Sequence, residues 1–349
     1  MAMIENELHP LNPQAGSSEQ QTVGDGEAES TLQLTKTILE STRLQAKFNR
    51  EILERMNSLA NEVMQTREAV RQASSGLGQR VDQLLAASPA WGRVVTPAGD
   101  GLLLTKVLNT FLMYVEAADM SVAPHLVVNG IWEKPITEVF AARLKPGMTV
   151  VDVGANYGYY SLLSACCVGG AGRVYSFEPN PRTFEVLKKN IDVNCLGAVV
   201  EAHLLAVLDS RRPIELHVLR QFQGSSSQFA PELVPEPDTP PEHRVRVDGA
   251  PLDEIIKGPV DLIKIDAEGS EPLVLEGMQR ILSENPKLTI IMEINLPMIR
   301  KCTDPEAFLE KVRKLGGTMQ YFTPWNTLEP FDQPRAMRFP LFNLLIERK

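Results

Sequence analysis

The spacing of apolar and polar side chains divides this 349-residue chain into unlike parts. Residues 1–30 hold hardly a large apolar side chain after Leu11 and are rich in Glu, Gln, Ser, Gly and Pro. Such a segment buries too little to offset the entropy of ordering, so it is predicted to be a disordered tail. The stretch 31–87 opens with a run to Ser74 that has no Gly or Pro and is rich in Leu, Ala, Glu, Arg and Gln, which favours helix. Within it Ile52, Met56, Leu59, Val63 and Val70 fall on an alternating four-three spacing, with Thr66 and Ala73 completing the register. That is a coiled-coil seam, and it predicts a homo-oligomer joined through the long N-terminal helix, the alternative being a long amphipathic helix that lies on the body of the protein. Gly76 and Gly78 loosen the helix, and Ser88-Pro89 with Thr96-Pro97 mark 88–106 as a linker.

From 107 to 349 the pattern changes. Apolar runs of strand length at 148–153, 173–177, 199–207, 260–265, 288–294, 318–322 and 342–347 are interleaved with helical patterns at 159–168, 181–193, 271–282 and 305–315. Alternation of this kind predicts an α/β body, a mainly parallel sheet with helices on both faces.

Composition changes the picture in two respects. The chain is 43% hydrophobic, enough for a sizeable core, and its 35 Lys+Arg against 44 Asp+Glu give a net charge of −9. Glu5, Glu7, Glu19, Asp25, Glu27 and Glu29 lie in the first 30 residues, which hold no Lys or Arg, so the remainder is nearly neutral. A protein-wide nucleic-acid surface is therefore not expected, because phosphate binding needs excess cation. Cys166, Cys167, Cys195 and Cys302 are too few and too irregular for a disulfide framework or a C-x-x-C metal site. The start lacks a basic region followed by an apolar stretch, and no run reaches the roughly 18 apolar residues of a membrane span. A cytoplasmic protein with no transmembrane segment is the expectation.

The first strand of the α/β body ends in DVGANYGYYS, residues 152–161, where Gly154 and Gly158 let backbone approach a ligand and Asp152 puts a carboxylate near the strand tip. A dinucleotide site needs G-x-G-x-x-G to seat a pyrophosphate on a helix N-terminus. Here the spacing is G-x-x-x-G after an acid, which suits a cationic ligand without phosphate, such as S-adenosylmethionine. The second strand ends in Phe177-Glu178-Pro179, and a carboxylate there can accept both hydroxyls of a ribose.

These motifs together with FEPNP at 177–181, VDLIKIDAEGSE at 260–271, GIWE at 130–133 and IMEI at 291–294 resemble the FkbM family of S-adenosylmethionine-dependent methyltransferases. The resemblance spans 107–349 and leaves out the tail and the long helix. It implies a class I, Rossmann-like methyltransferase with a seven-stranded, mostly parallel sheet whose last strand is antiparallel. It also implies methyl transfer to an oxygen of a saccharide or polyketide-like acceptor, with Asp152, Gly154, Asn156, Gly158, Glu178, Asn180 and Ala206 around the cofactor. Members of the family tend to carry a polar Gly-Ser-Ser stretch, here Gly224-Ser225-Ser226. The following Pro231, Pro235, Pro237, Pro240 and Pro241 make either a substrate lid or a plain surface connection.

Methyl transfer is an in-line displacement that depends on alignment, and a positioned base contributes about 10²–10⁴-fold when the nucleophile is an alcohol. Asp266 and Glu268, past the fourth strand, and His125, upstream of GIWE, are the candidate catalytic residues. Asp266 or Ser270 can alternatively cap the helix that follows. No metal is assigned. The leading expectation is an O-methyltransferase acting on a saccharide hydroxyl; a lipid, polyketide or protein acceptor, and a coiled-coil assembly protein with an inactive methyltransferase fold, stay open.

Overall fold

A computed structural model describes residues 95–218, 226–229, 244–323, 325 and 327–349. The acidic tail, the long helix with its coiled-coil seam, Gly224-Ser225 and the prolines from 231 to 241 lie outside the described residues.

Along the chain, β1 (Thr96–Gly99), β2 (Leu102–Val107) and β3 (Phe111–Glu116) form an antiparallel sheet. Then β4 (Thr149–Val153), β5 (Arg173–Phe177) and β6 (Val200–His203) begin the central sheet. A small third sheet follows, of β7 (Ala206–Val207), β8 (Arg212–His217) and β9 (Arg244–Ala250). The central sheet is completed by β10 (Leu262–Ile265), β11 (Thr289–Asn295), β12 (Thr318–Phe322), β13 (Leu328–Pro330) and β14 (Leu341–Glu347).

The central sheet has eight strands in the order β13-β12-β14-β11-β10-β4-β5-β6. Neighbours from β11 to β6 are parallel, and β14 is antiparallel to both β11 and β12. The expected count of seven is corrected by β13, a three-residue strand that adds to the edge of β12. Strand alternation sorts the core into two faces. Val150, Leu262, Ile291 and Leu345 pack on one face with Leu162, Leu163 and Leu187 from the helices Tyr159–Val168 and Pro181–Val193. On the other, Val151, Ile263, Ile290 and Leu344 pack with Val274, Ile281, Phe308 and Leu309.

Three expectations for single elements differ from the fold, each for a non-local reason. The part of the 88–106 stretch that is described is largely strand, not linker: β1 is exposed throughout and carries no apolar signal, while Leu102, Thr105 and Val107 of β2 are buried. The run at 199–207 is divided, because β6 stays in the central sheet and Ala206-Val207 leaves to pair with Gly249-Ala250. The helix expected over 271–282 is two helices, Glu271–Glu276 and Gln279–Glu284. Gly277 sits at the break, where a Cβ would come within 1.9 Å of the Leu208 carbonyl oxygen. The second helix is capped from a distance by Asp253, whose carboxylate accepts the N–H groups of Arg280 (2.7 Å) and Ile281 (3.0 Å).

The N-terminal sheet is held to the body by two amides at the end of the helix Pro181–Val193. Asn190 accepts the Tyr114 N–H (2.6 Å) and donates to the carbonyls of Tyr114 (2.9 Å) and Tyr157 (2.8 Å). Asn194 accepts the Leu112 N–H and donates to its carbonyl. The side chains thus stand in for a neighbouring strand along β3. No described helix is long and apolar enough to cross a membrane.

Candidate active site

At the carboxyl ends of the parallel strands lies a cavity of about 320 Å³, within the size range of small-molecule sites. Its geometry begins with the turn after β4. The N–H groups of Gly154 and Ala155 both donate to the Phe177 carbonyl (3.0 and 2.9 Å), which ties the turn to the end of β5. Gly154 has φ +78, and a Cβ there would come within 1.8 Å of the Asp266 carbonyl oxygen. Its glycine is therefore required by the neighbouring strand end. Gly158, at φ +90, starts the helix Tyr159–Val168, and a Cβ on it would meet Leu187 at 2.5 Å.

Glu178 follows β5 and lines the cavity, only 6% exposed. One carboxylate oxygen accepts the Asn156 N–H and the other the Asn180 N–H, each at 2.9 Å. Burial raises its pKa to about 7, against the opposing pull of these two amides. Two fixed donors leave each oxygen a further lone pair toward the cavity.

The register of β4, β10 and β11 gathers a charged cluster on one sheet face. Lys264 pairs with Asp152 across β4, and Ile265 pairs with Met292, so the next residues, Asp266 and Glu293, come side by side. Lys264 is 3% exposed; its ammonium bonds to Asp266 Oδ2 at 2.9 Å and lies 4.7 Å from the centre of the Tyr160 ring. Burial alone would lower the Lys264 pKa, but Asp266, Glu133 and Asp152 together hold it above the usual lysine value. The carboxyl oxygens of Asp266, Glu268 and Glu293 lie within 4.8 Å of one another. Burial, then the charges of Asp266 and Glu271, push the Glu268 carboxyl up to about 9. Burial, with Asp266, Glu133 and Glu268, pushes Glu293 well above the carboxylate range. Glu271 holds the loop: its Oε1 accepts the N–H groups of Ala267 (2.9 Å) and Gly269 (3.3 Å).

The structure brings Gly154, Asn156, Glu178, Ala206, Asp266 and Glu268 to this one cavity. Four other expected residues lie outside its lining, among them Gly158, at the start of the helix Tyr159–Val168. Asp152 does not line the cavity: it is 1% exposed and accepts the Ser161 hydroxyl at 2.6 Å, because the strand pleat turns it under the helix Tyr159–Val168. Asn180 is the N-cap of the helix Pro181–Val193, with its Oδ1 accepting the Arg182 N–H, and it too lies behind the lining. His125 is exposed and outside the lining, its ring edge-on to Trp132 at 5.2 Å. As for the capping alternative, Asp266 turns to Lys264, and Ser270 Oγ accepts from Gln228 rather than from the helix.

The cavity also holds Glu133, Tyr160 and Lys264, which sequence reasoning did not select, and Glu293 of the IMEI motif. Tyr160 donates its hydroxyl to Glu133 Oε2 at 3.1 Å. The signal for Lys264 was a lone charge between Ile263 and Ile265 on an apolar strand, since such a charge is rarely buried without a partner. Glu133 (φ 41), Asn156 (φ 49) and Glu268 (φ 47) all line the cavity in left-handed backbone, which concentrates strain at this site. Of the Gly-Ser-Ser stretch, Ser226 is described; it lines the cavity with Ser227 and Gln228, and Ser227 donates to the Glu268 carbonyl at 2.7 Å.

Residues 152–318 match the family model described as "Methyltransferase FkbM domain". Over 144 residues the chain is 31% identical to the hexuronic acid methyltransferase AglP of Haloferax volcanii, covering 38% of this chain and 50% of that protein. The chain thus spans half the length of the curated relative it matches. Among solved structures, methyltransferase FkbM from Methylobacillus flagellatus aligns at 16% identity and TM-score 0.35, over 60% of this chain and 50% of that one. Precorrin-6y C5,15-methyltransferase from Geobacter metallireducens aligns at 14% identity and TM-score 0.33, over 61% and 86%.

Proposed function

We propose that this chain, whose residues 152–318 match the FkbM methyltransferase domain, is a member of that family and transfers a methyl group from S-adenosylmethionine to a hydroxyl of a saccharide or sugar-containing acceptor. The observation that carries the reading is one cavity lined by the glycine turn, by Glu178 with its fixed carboxylate, and by the carboxyls of Asp266, Glu268 and Glu293.

The residues present fit the cofactor. Glu178 is held by two backbone amides with lone pairs to spare for two ribose hydroxyls. Gly154, Ala155 and Asn156 bring the backbone of the turn to the cavity wall beside it, and an excess of carboxyls suits a cation. When bound, S-adenosylmethionine supplies a methyl group made electrophilic by a positively charged sulfur.

The chain's own residues do the rest. Asp266 is committed to Lys264, so Glu268 is the better placed of the two expected carboxyls to receive the acceptor's proton. Ser226, Ser227 and Gln228 bring hydroxyl and amide groups to the cavity edge, chemistry suited to orienting sugar hydroxyls. The relative described as a hexuronic acid methyltransferase supports a saccharide acceptor.

Isothermal titration with S-adenosylmethionine, followed by mass spectrometry of products from saccharide, lipid and protein acceptors, tests this. Binding that is weakened in Glu178→Gln, with methylated saccharide products, is expected. Absence of binding overturns the methyltransferase reading; methylation of non-sugar acceptors alone overturns the saccharide assignment.

A further inference from the structure

The carboxyls in and around this cavity differ in one respect that their number conceals. Asp152 has the Ser161 hydroxyl as a donor, Asp266 has Lys264, Glu133 has the Tyr160 hydroxyl, Glu178 has two backbone amides and Glu271 has two more. Glu268 and Glu293 have no side-chain donor among the described residues, although their oxygens lie within 4.8 Å of each other and of Asp266. The single ammonium of the cluster, Lys264, is bonded to Asp266 and faces Asp152 across the strands.

We propose that Glu268 and Glu293 work as one catalytic base, sharing a single proton while the cofactor is absent, releasing it when the positive sulfonium enters, and taking up the acceptor's proton as that charge is lost. The proposal adds Glu293 to the catalytic residues and rests on the methyltransferase reading above.

The charge arithmetic favours it. Every element packed around the pair adds like charge: Asp266 from the end of β10, Glu271 from the following helix and Glu133 from the segment before the helix Lys134–Ala141. Among the described residues only Lys264 opposes them, and two closely spaced carboxyls short of cations do not both ionise. A sulfonium brings the missing positive charge, so the second carboxyl ionises as well and the pair is ready as a base. In the transfer the acceptor oxygen bonds to the methyl carbon while the carbon–sulfur bond breaks, its electron pair staying on sulfur as a neutral thioether. The acceptor's proton goes to the ionised carboxylate. One positive and one negative charge vanish together, and the net charge of the cavity is conserved. Burial and neighbouring carboxylates raise the pKa of both groups, in keeping with this cycle.

The test compares S-adenosylmethionine with S-adenosylhomocysteine, which lacks the sulfonium charge. Titration calorimetry of the full chain in two buffers of different ionisation enthalpy counts protons released per ligand. At about pH 6.5 the amino groups of both ligands stay protonated and do not contribute. The expected result is about one proton more for S-adenosylmethionine, an excess that falls toward zero in Glu268→Gln and in Glu293→Gln because the remaining carboxyl is no longer repelled by its partner. Equal release by the two ligands, or an excess unchanged in both variants, overturns the proposal and leaves the methyltransferase reading intact. If S-adenosylmethionine does not bind, both fall.

Discussion

Lys264 Nζ lies 2.9 Å from Asp266 Oδ2, with only 4% of the lysine side chain exposed against 23% of the aspartate. The pair joins the sheet interior to the cavity floor. Removing the cation leaves Asp266, Asp152 and Glu133 without their common counter-charge. Lys264→Met is expected to lower unfolding free energy by about 3–5 kcal/mol in urea titrations. The double variant Lys264→Met with Asp266→Asn should lose less than the sum of the two single changes, since no orphaned charge remains at Asp266.

Gly154 has a sharper requirement than other glycines with positive φ. A methyl group there collides with the Asp266 carbonyl, whereas one at Gly147, at φ +83, meets nothing within 4 Å. Gly147→Ala should cost about 1–2 kcal/mol through its backbone conformation alone. Gly154→Ala should also displace the end of β10 and abolish cofactor binding by titration calorimetry. Near-native affinity in Gly154→Ala would show that the two strand ends move apart freely.

Stability should depend on pH in an unusual direction. Glu178 and Glu271 are each raised by burial from 4.5 to about 7, so between these values the folded chain binds more protons than the unfolded one. Their favourable contribution is fully present below the unfolded value and is lost as pH rises through about 7, on the order of 3 kcal/mol for each group. The melting temperature of the cofactor-free protein is expected to fall over this window, and Glu271→Gln to flatten the fall. A melting temperature that climbs across the same window would contradict it.

Asn190 joins three backbone groups of two segments: the N–H and carbonyl of Tyr114 and the carbonyl of Tyr157. Asn190→Ala leaves these groups unpaired and should cost at least about 2 kcal/mol. Hydrogen exchange should quicken first at Tyr114. Asn190→Asp keeps the acceptor and loses the donor, so its effect should be intermediate.

Glu268 and His125, both expected from the sequence to take part in proton transfer, should separate cleanly in steady-state kinetics. Glu268 lines the cavity, and Glu268→Gln is expected to lower kcat about 10²–10⁴-fold. His125 lies outside it against Trp132, and His125→Ala should stay within about twofold of the parent. A comparable loss in both would return His125 to the mechanism.

Elements whose signal is local were legible. Pro181–Val193 begins at an Asn-Pro cap and keeps a helical stripe, and Tyr159–Val168 and Arg173–Phe177 likewise coincide with their apolar runs. β1 was not legible, being an exposed edge strand with no buried residue. Nor was the break at Gly277, which depends on the Leu208 backbone and on a cap supplied by Asp253.

The same division runs through the site. The amino-acid sequence by itself determined the motif order, the alternation that makes an α/β body and the glycine turn followed by an acid at Glu178, because these are properties of neighbours along the chain. Tertiary structure alone decided which carboxyl does what. Pleat turned Asp152 beneath a helix, parallel register set Asp266 beside Glu293, and the buried Lys264 was drawn to Asp266. Charge interacts through space with whatever the fold places nearby, so a carboxylate's role is legible only when its donors and its rivals are in place.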